Sequence, residues 1–166
     1  MIVKRIVDDA DLRRMSWSGV RIHGLSFCDN SSIPSSELML DVDYSTAAPK
    51  EENGLYVFTL APTTVRFENV CLVHMSAKSG RFEAGNVIIG DSSVVPSFSF
   101  PNACVQMWEW SLSGDWFELS FSSSGATAFI RGDPVALPQS WLTSEQRGPA
   151  CFLVPPTNID ELNPPK

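Results

Sequence analysis

The chain has 166 residues, of which 43% are hydrophobic and 19% charged, and its formal net charge is −7. A single domain of this length buries a substantial core without needing disulfides or metals. The excess of acidic residues argues against a nucleic acid or an anionic membrane as a partner, because both are polyanions. An acidic surface serves either solubility alone or the attraction of a basic protein partner.

The first fifteen residues, MIVKRIVDDADLRRM, carry charges where a secretion signal needs an apolar stretch of about 7–15 residues. No apolar run approaches the roughly 20 residues that a membrane-spanning helix requires. We therefore expect a cytoplasmic protein. In that compartment its cysteines should be reduced and mostly small buried side chains, and their wide spacing offers no zinc site; they are Cys28, Cys71, Cys104 and Cys151.

Residues 8–15 predict one short helix, since acidic residues come first and arginines last. Val20–Cys28 predicts a strand in which Gly24 forms a bend or bulge. Leu38–Tyr44 alternates apolar and polar side chains with the period of two that is typical of a strand with one buried face. This alternation places Asp41 and Asp43 together on the opposite face.

The polar residues 46–54 predict a solvated connection between this strand and Leu55–Ala61, longer than a two-residue turn. Thr63–Val70 predicts the next strand, with Pro62 as a corner or edge before it. The inward-facing side chains of these three strands should form much of the core. We expect them to be Leu38, Leu40, Val42, Phe58, Leu60, Val65 and Phe67.

The second half begins with a short apolar strand at Asn86–Gly90 and an irregular piece at 91–102. Val105–Leu112, Trp116–Ser122 and Ala126–Arg131 then predict a meander with tight turns. Residues 139–147 predict a helix. Thr143 or Ser144 is its candidate N-terminal cap, and Gly148 is its stop.

Eight or so short strands with almost no helix indicate an all-β fold, an antiparallel sandwich or a barrel-like sheet with one or two short helices. Residues 1–154 should form a single β domain. The proline-rich residues 155–166 should form a loosely attached tail.

Neither a nucleophile signature nor a cofactor motif occurs in the sequence, so we predict no catalytic residue and no cofactor. His23 and His74 are better explained as structural or exposed histidines than as catalytic ones. Asp41 and Asp43 share a strand face, a spacing that suits a divalent cation or acid–base chemistry. The solvent face of any antiparallel sheet has the same pattern, and we prefer that interpretation.

Three tryptophans lie in one predicted hairpin, whose charged residues are all acidic. Between Phe82 and Ile130 the sequence has no lysine or arginine. A negative, aromatic hairpin suits a basic protein partner, whereas nucleic-acid stacking needs cationic neighbours. The alternatives are a sandwich interior filled by large side chains and a carbohydrate platform. The candidate interface residues are Trp108, Trp110, Trp116, Glu109, Asp115 and Glu118.

The pattern E-L-x-L-D-x-D-Y at residues 37–44, followed by F-x-x-A-P-x-T-x-x-F-E-N-V at residues 58–70, resembles a group of small uncharacterised bacterial proteins. The resemblance covers about a third of the chain. It implies a bacterial origin and an all-β domain, and it brings no activity or catalytic residues with it. In size and charge alone, the chain is also similar to immunity proteins that inhibit polymorphic toxins.

We therefore expect a non-enzymatic protein-binding domain, in its most specific form an immunity-type inhibitor of a bacterial toxin, with a basic partner. The alternative is a small-ligand-binding or hydrolytic β-domain with a pocket between its sheets. Polar groups converging in a deep apolar pocket would favour the alternative, and a flat acidic and aromatic face would favour protein binding.

Overall fold

The computed structural model describes residues 5–14, 17, 20–30, 35–78, 83–84, 86–96 and 104–152. The predicted tail at 155–166 lies outside these residues. Within them, no helix is long and apolar enough to cross a membrane. The elements in chain order are β1 (Arg5–Val7), α1 (Asp9–Arg14), β2 (Val20–Asn30), β3 (Ser35–Glu52), β4 (Leu55–Glu68), β5 (Cys71–Ala77), β6 (Glu83–Ala84), β7 (Asn86–Pro96), β8 (Cys104–Ser113), β9 (Phe117–Ser123), β10 (Gly125–Ile130), β11 (Val135–Leu137) and α2 (Ser144–Arg147).

The strands form two antiparallel sheets. In the larger sheet the order is β1-β10-β4-β3-β2-β6, with β11 also paired to β4, and in the smaller sheet it is β5-β9-β8-β7. The two sheets share one core and do not close into a barrel. The prediction of an all-β antiparallel fold with short helices is confirmed, and the sandwich form describes it.

The core lies between the inner faces of the two sheets. Aligned rows cross the larger sheet, such as Leu40 opposite Val65 and Val65 opposite Ala128. From these rows, Phe67 meets the smaller sheet edge-on, with its ring centroid 4.9 Å from Trp110 and 4.8 Å from Phe121. The predicted inward residues are buried except for Phe58, which is half-buried where β4 pairs with β11.

The connection between β3 and β4 differs from the prediction. β3 continues to Glu52 and β4 starts at Leu55, so only Asn53 and Gly54 form the turn, with φ of 54° and 77°. Positive φ at both turn residues is typical of tight hairpins, in which Asn-Gly is the preferred pair. The predicted long loop is wrong because the polar residues before this turn still pair along β4, with both faces exposed.

Pro62 interrupts β4 less than predicted. The strand passes through it, and the Pro62 carbonyl accepts a hydrogen bond from the Arg131 N–H at 2.9 Å. The N–H and C=O of one strand residue point to the same side, so the N–H that Pro62 lacks would face Arg131, just beyond the end of β10. This pair therefore has one hydrogen bond instead of two, at a position where the neighbouring strand has already ended.

Predictions for β7, the second helix and the cysteines can also be compared with the structure. The strand β7 extends to Pro96, so residues 91–96 are not irregular. The predicted helix shortens to α2, which Thr143 caps through a capping box with Gln146 and which ends at Gly148. None of the four cysteines forms a disulfide, and none is fully buried: Cys28 and Cys104 are exposed, so the prediction that most are buried is wrong.

Candidate functional site

A network of buried charges occupies the outer face of the larger sheet. We call it the acid–arginine cluster; it contains Asp41, Asp43, His23, Arg131 and Arg147. Both carboxylates are inaccessible to solvent, with relative exposures of 0% and 1%. Burial of this kind is tolerated only when the charges are paired and hydrogen-bonded.

Each oxygen of Asp41 has a partner. Its Oδ1 accepts hydrogen bonds from Nη2 of Arg131 and from Nη2 of Arg147, the latter at 2.9 Å. Its Oδ2 accepts from the Cys151 backbone N–H at 3.1 Å. The two guanidinium groups are themselves buried, with side-chain exposures of 8% and 6%.

Asp43 is held in a similar way. Its Oδ1 accepts from Nε of Arg147 at 3.3 Å, and its Oδ2 lies 2.8 Å from Nε2 of His23 and 2.9 Å from the Leu142 N–H. Burial raises the pKa of Asp43, but these hydrogen bonds and the nearby positive charges outweigh it, so the net pKa lies below its ordinary value. The carboxylate is therefore ionised at neutral pH.

Apart from His23 in β2 and Arg131, these partners lie in residues 138–152, which we call the covering segment. The Thr64 hydroxyl donates to the Cys151 carbonyl at 2.8 Å, which ties this segment to the middle of the larger sheet. At Gly24, an added Cβ would lie 2.8 Å from the Phe152 ring, so the missing side chain makes room for that ring. Ion pairs, hydrogen bonds and the packing of the Phe152 ring over Gly24 thus hold the covering segment on the larger sheet.

The prediction that Asp41 and Asp43 face solvent is therefore wrong, although the alternation itself is correct. Leu40 and Val42 point into the core as expected, and the aspartates are buried because the covering segment lies over them. Arginine, histidine and backbone N–H groups occupy all four carboxylate oxygens, which argues against a cation site there. No group of three or more potential metal ligands occurs elsewhere among the described residues.

The three tryptophans of the β8–β9 hairpin have different environments. Trp110 is 1% exposed and donates its indole N–H to the Ser123 hydroxyl at 3.0 Å. Trp108 is half-buried, and the Arg13 guanidinium lies 3.9 Å from the centre of its ring. Trp116 is 47% exposed at the turn between the strands. Trp116 therefore presents the largest aromatic surface of the three.

The acidic residues of this hairpin lie on the surface. Glu109, Asp115 and Glu118 are all exposed, and Glu118 pairs with Ser113 of β8 and Ser76 of β5. The outer faces of β8 and β9 therefore keep the one-signed charge that the sequence indicated.

A shallow depression of about 260 Å³ lies in the smaller sheet. We call it the serine depression; its lining includes Leu72, Glu109, Ser111, Ser120 and Ser122. Ser111 pairs directly with Ser120, and Glu109 with Ser122, so small hydroxyl side chains and one carboxylate lie side by side. The alternation of serines with Trp110, Leu112, Leu119 and Phe121 in the sequence is the signal that indicates this surface.

Next to this depression, β5 exposes two consecutive apolar side chains. Leu72 is 82% exposed and Val73 42%. Met75 is 44% exposed, but it pairs with the core residue Leu119 and so faces the inner side of the sheet. Leu72 has a φ of 53°, in the left-handed region, and it sits at an irregularity in the pairing of β5 with β9. A leucine held in this conformation is unusual, because the left-handed region is sterically unfavourable for a residue with a side chain.

An apolar cleft of about 190 Å³ opens between the two sheets. We call it the inter-sheet cleft. His23 is its one titratable lining residue, and it is the extra residue of a bulge where Ile22 pairs with Val42 and Gly24 with Asp41. Apart from His23 and Gly24, the lining residues are apolar: Ile22, Leu25, Leu40, Met75, Phe117 and Leu119.

No family model, curated protein or solved structure matches this chain. The resemblance to small bacterial proteins therefore stays a prediction, and we infer the function from the geometry alone.

Proposed function

We propose that this protein is a non-enzymatic protein-binding domain that holds a basic partner on the outer face of the smaller sheet. The serine depression is the observation that carries the proposal. Its hydroxyl groups and the Glu109 carboxylate accept hydrogen bonds, and the carboxylate supplies a negative charge. A lysine or arginine side chain from a partner fits this chemistry, because it brings several donors and a positive charge.

The surroundings of the depression supply the other components of an interface. Leu72 and Val73 in β5, and Trp116 at the turn between β8 and β9, are large apolar side chains that are exposed to water in the free protein. Interfaces take most of their affinity from a few such side chains, and surrounding charges mainly accelerate association. The exposed Glu118 and Asp115 would accelerate association with a basic partner.

The most specific form of the proposal is an immunity-type inhibitor of a bacterial toxin. It is supported by the acidic charge of the chain and by an acidic, partly aromatic face that suits a basic enzyme. A nucleic acid or an anionic membrane is not proposed as a partner, because the same face would repel it. We propose a cytoplasmic location on the sequence grounds given above.

The test starts from a partner captured from the native host and compares charge-reversal variants in binding kinetics. The variant E109K/E118K should slow association at least tenfold at low salt and reduce the salt dependence of the rate. The matched control is E51K/E52K, which makes the same charge change at exposed residues of the β3–β4 hairpin.

The control should change association by less than about threefold. If both double variants slow association equally, only net charge matters and the proposed face is wrong. The variant W116A should accelerate dissociation by roughly thirtyfold, since truncating a central aromatic residue weakens binding by about 2 kcal/mol. An unchanged dissociation rate in W116A would remove Trp116 from the interface.

The hydrolytic alternative finds no support in the inter-sheet cleft, because its described lining residues include no serine, cysteine or threonine nucleophile.

A further inference from the structure

The strand β5 lies at one edge of the smaller sheet. Among the described strands it pairs only with β9, so its other edge is open. Every residue from Leu72 to Lys78 is exposed. An open strand edge offers N–H and C=O groups to which another strand can bond, and natural proteins protect such edges with prolines, charged side chains or bulges. The sequence of β5 contains no proline and no acidic or basic residue other than His74.

The pairing with β9 determines which backbone groups of β5 face the open edge. The Lys78 N–H donates to the Trp116 C=O at 2.7 Å, so these two residues form a hydrogen-bonded pair. Hydrogen-bonded and non-hydrogen-bonded pairs alternate along an antiparallel ladder, so Ser76 also bonds to β9, whereas Met75 and Ala77 do not. The N–H and C=O groups of Met75 and Ala77 therefore point to the open edge.

The side chains of β5 suit pairing with a second copy of the same strand. The irregularity at Leu72 bends the start of β5, so a regular pairing runs from Val73 to Ala77. If a two-fold axis passes through Met75, the two Met75 side chains lie opposite each other. Val73 of each copy then lies opposite Ala77 of the other. Both kinds of pair bring apolar side chains together, which stabilises neighbouring strands.

The charges around β5 also favour a second copy at this edge. The net charge of the chain is −7, so two copies can join only where their acidic residues stay apart. Glu118 of β9 lies opposite Ser76. In the pairing centred on Met75, the residue opposite Ser76 is His74 of the second copy. A histidine thus follows Glu118 across the join, and both β5 strands separate the two Glu118 residues.

We infer that this protein forms a symmetric homodimer in which the β5 strands of two copies pair antiparallel and join their smaller sheets into one continuous sheet. Met75 also lines the inter-sheet cleft, so the added strand extends the smaller sheet at the open side of that cleft. The inference does not depend on the proposed protein partner.

The mass of the protein in solution and the exchange of its amide protons test this inference. From about 10 μM to about 1 mM protein, sedimentation should give a weight-average mass that rises from 18.3 kDa towards twice that value. Over the same range, amide exchange at Met75 and Ala77, followed by NMR, should slow by about fivefold or more. Exchange at Ser76 should not change, because its N–H already bonds to β9.

Two variants and one control localise the contact. M75K places two positive charges opposite each other at the two-fold axis and should weaken dimerisation by about tenfold or more. M75P removes an N–H that faces the open edge, leaves the bonds to β9 in place, and should have a similar effect. The control L55K makes the same charge change as M75K at an exposed side chain of the β3–β4 hairpin. It should change the dimerisation constant by less than about twofold.

A mass of 18.3 kDa at every concentration would overturn the inference. A dimer that M75K and L55K weaken equally would do the same, because its contact lies elsewhere. If the Met75 and Ala77 amides become protected only when the captured basic partner is added, the edge binds that partner and the homodimer is wrong. The exchange measurement on the wild-type protein decides the case even if M75K or M75P fails to fold.

Discussion

The outer faces of the two sheets have the same kind of sequence and opposite environments. In both, strand residues alternate between apolar side chains that enter the shared core and small or charged side chains that point away from it. On the larger sheet the outward residues Asp41 and Asp43 are fully buried beneath the covering segment. On the smaller sheet the outward residues Glu109 and Glu118 stay in water.

The difference teaches that the pattern of a strand determines its inner face but not the environment of its outer face. A carboxylate facing away from the core is a solubilising group if nothing covers it. The same group is part of an ion-pair network if a later segment brings arginines to it. Pairs of equivalent substitutions on the two faces therefore measure what the covering segment contributes to the free energy of unfolding.

The largest contrast is expected between D41N and E109Q, which each remove one carboxylate charge. D41N leaves Arg131 buried without its carboxylate partner, so it should lower the free energy of unfolding by about 3–5 kcal/mol. E109Q changes an exposed group and should stay within about 0.5 kcal/mol of the wild type. Urea denaturation of the three proteins measures both. A loss below 1 kcal/mol in D41N would mean that the cluster contributes little to stability.

A second contrast compares one leucine from each sheet. L40A removes a fully buried side chain between the sheets and should destabilise the protein by about 2–5 kcal/mol. L72A removes a side chain that is already mostly in water and should change stability by less than about 0.5 kcal/mol. Thermal and chemical unfolding of the two variants decide this. Similar losses in both would show that Leu72 packs against the protein in solution.

The smallest effect concerns the pH dependence of Asp43. Its pKa in the folded protein lies below the ordinary value of 3.8, so the carboxylate stabilises the fold above pH 3.8. This stabilisation is lost as the pH falls through the lower, folded-state pKa. The difference in unfolding free energy between the wild type and D43N should therefore shrink as the pH falls below 4.

Acid unfolding of the wild type and D43N, monitored by circular dichroism, measures whether this difference shrinks or grows as the pH falls. The pKa of Asp9 is raised by burial, against the lowering effect of Arg13, but Asp9 is present in both proteins and cancels in the comparison. A difference that grows below pH 4 would contradict the described environment of Asp43.

The sequence predicted the strands and much of the core because both are local properties. Alternation in Leu38–Tyr44 identified which side chains enter the core, and the acidic and basic ends of residues 9–14 marked the short helix that the structure contains. Thr143 was recognised as a cap because capping depends on residues within one turn.

The acid–arginine cluster was not predictable in the same way. Asp41 meets Arg131 and Arg147 across 90 and 106 residues of chain, and no local pattern specifies such distant partners. The sequence also did not determine how the hairpin tryptophans are buried. Trp108 and Trp110 lie two residues apart, yet the nearby Arg13 covers one ring and the core encloses the other.

The distance in sequence between the two halves of the acid–arginine cluster also affects the nascent chain. A ribosome adds about 5–20 residues per second, so the 106 residues from Asp41 to Arg147 take roughly 5–20 s to synthesise. During this interval β3 and β4 can pair while their outer face has no cover. Carboxylates on that face keep it hydrated and hinder contact with other unfinished chains, as charged gatekeeper residues do. The side chains that anchor the covering segment in the finished fold thus protect the sheet before that segment exists.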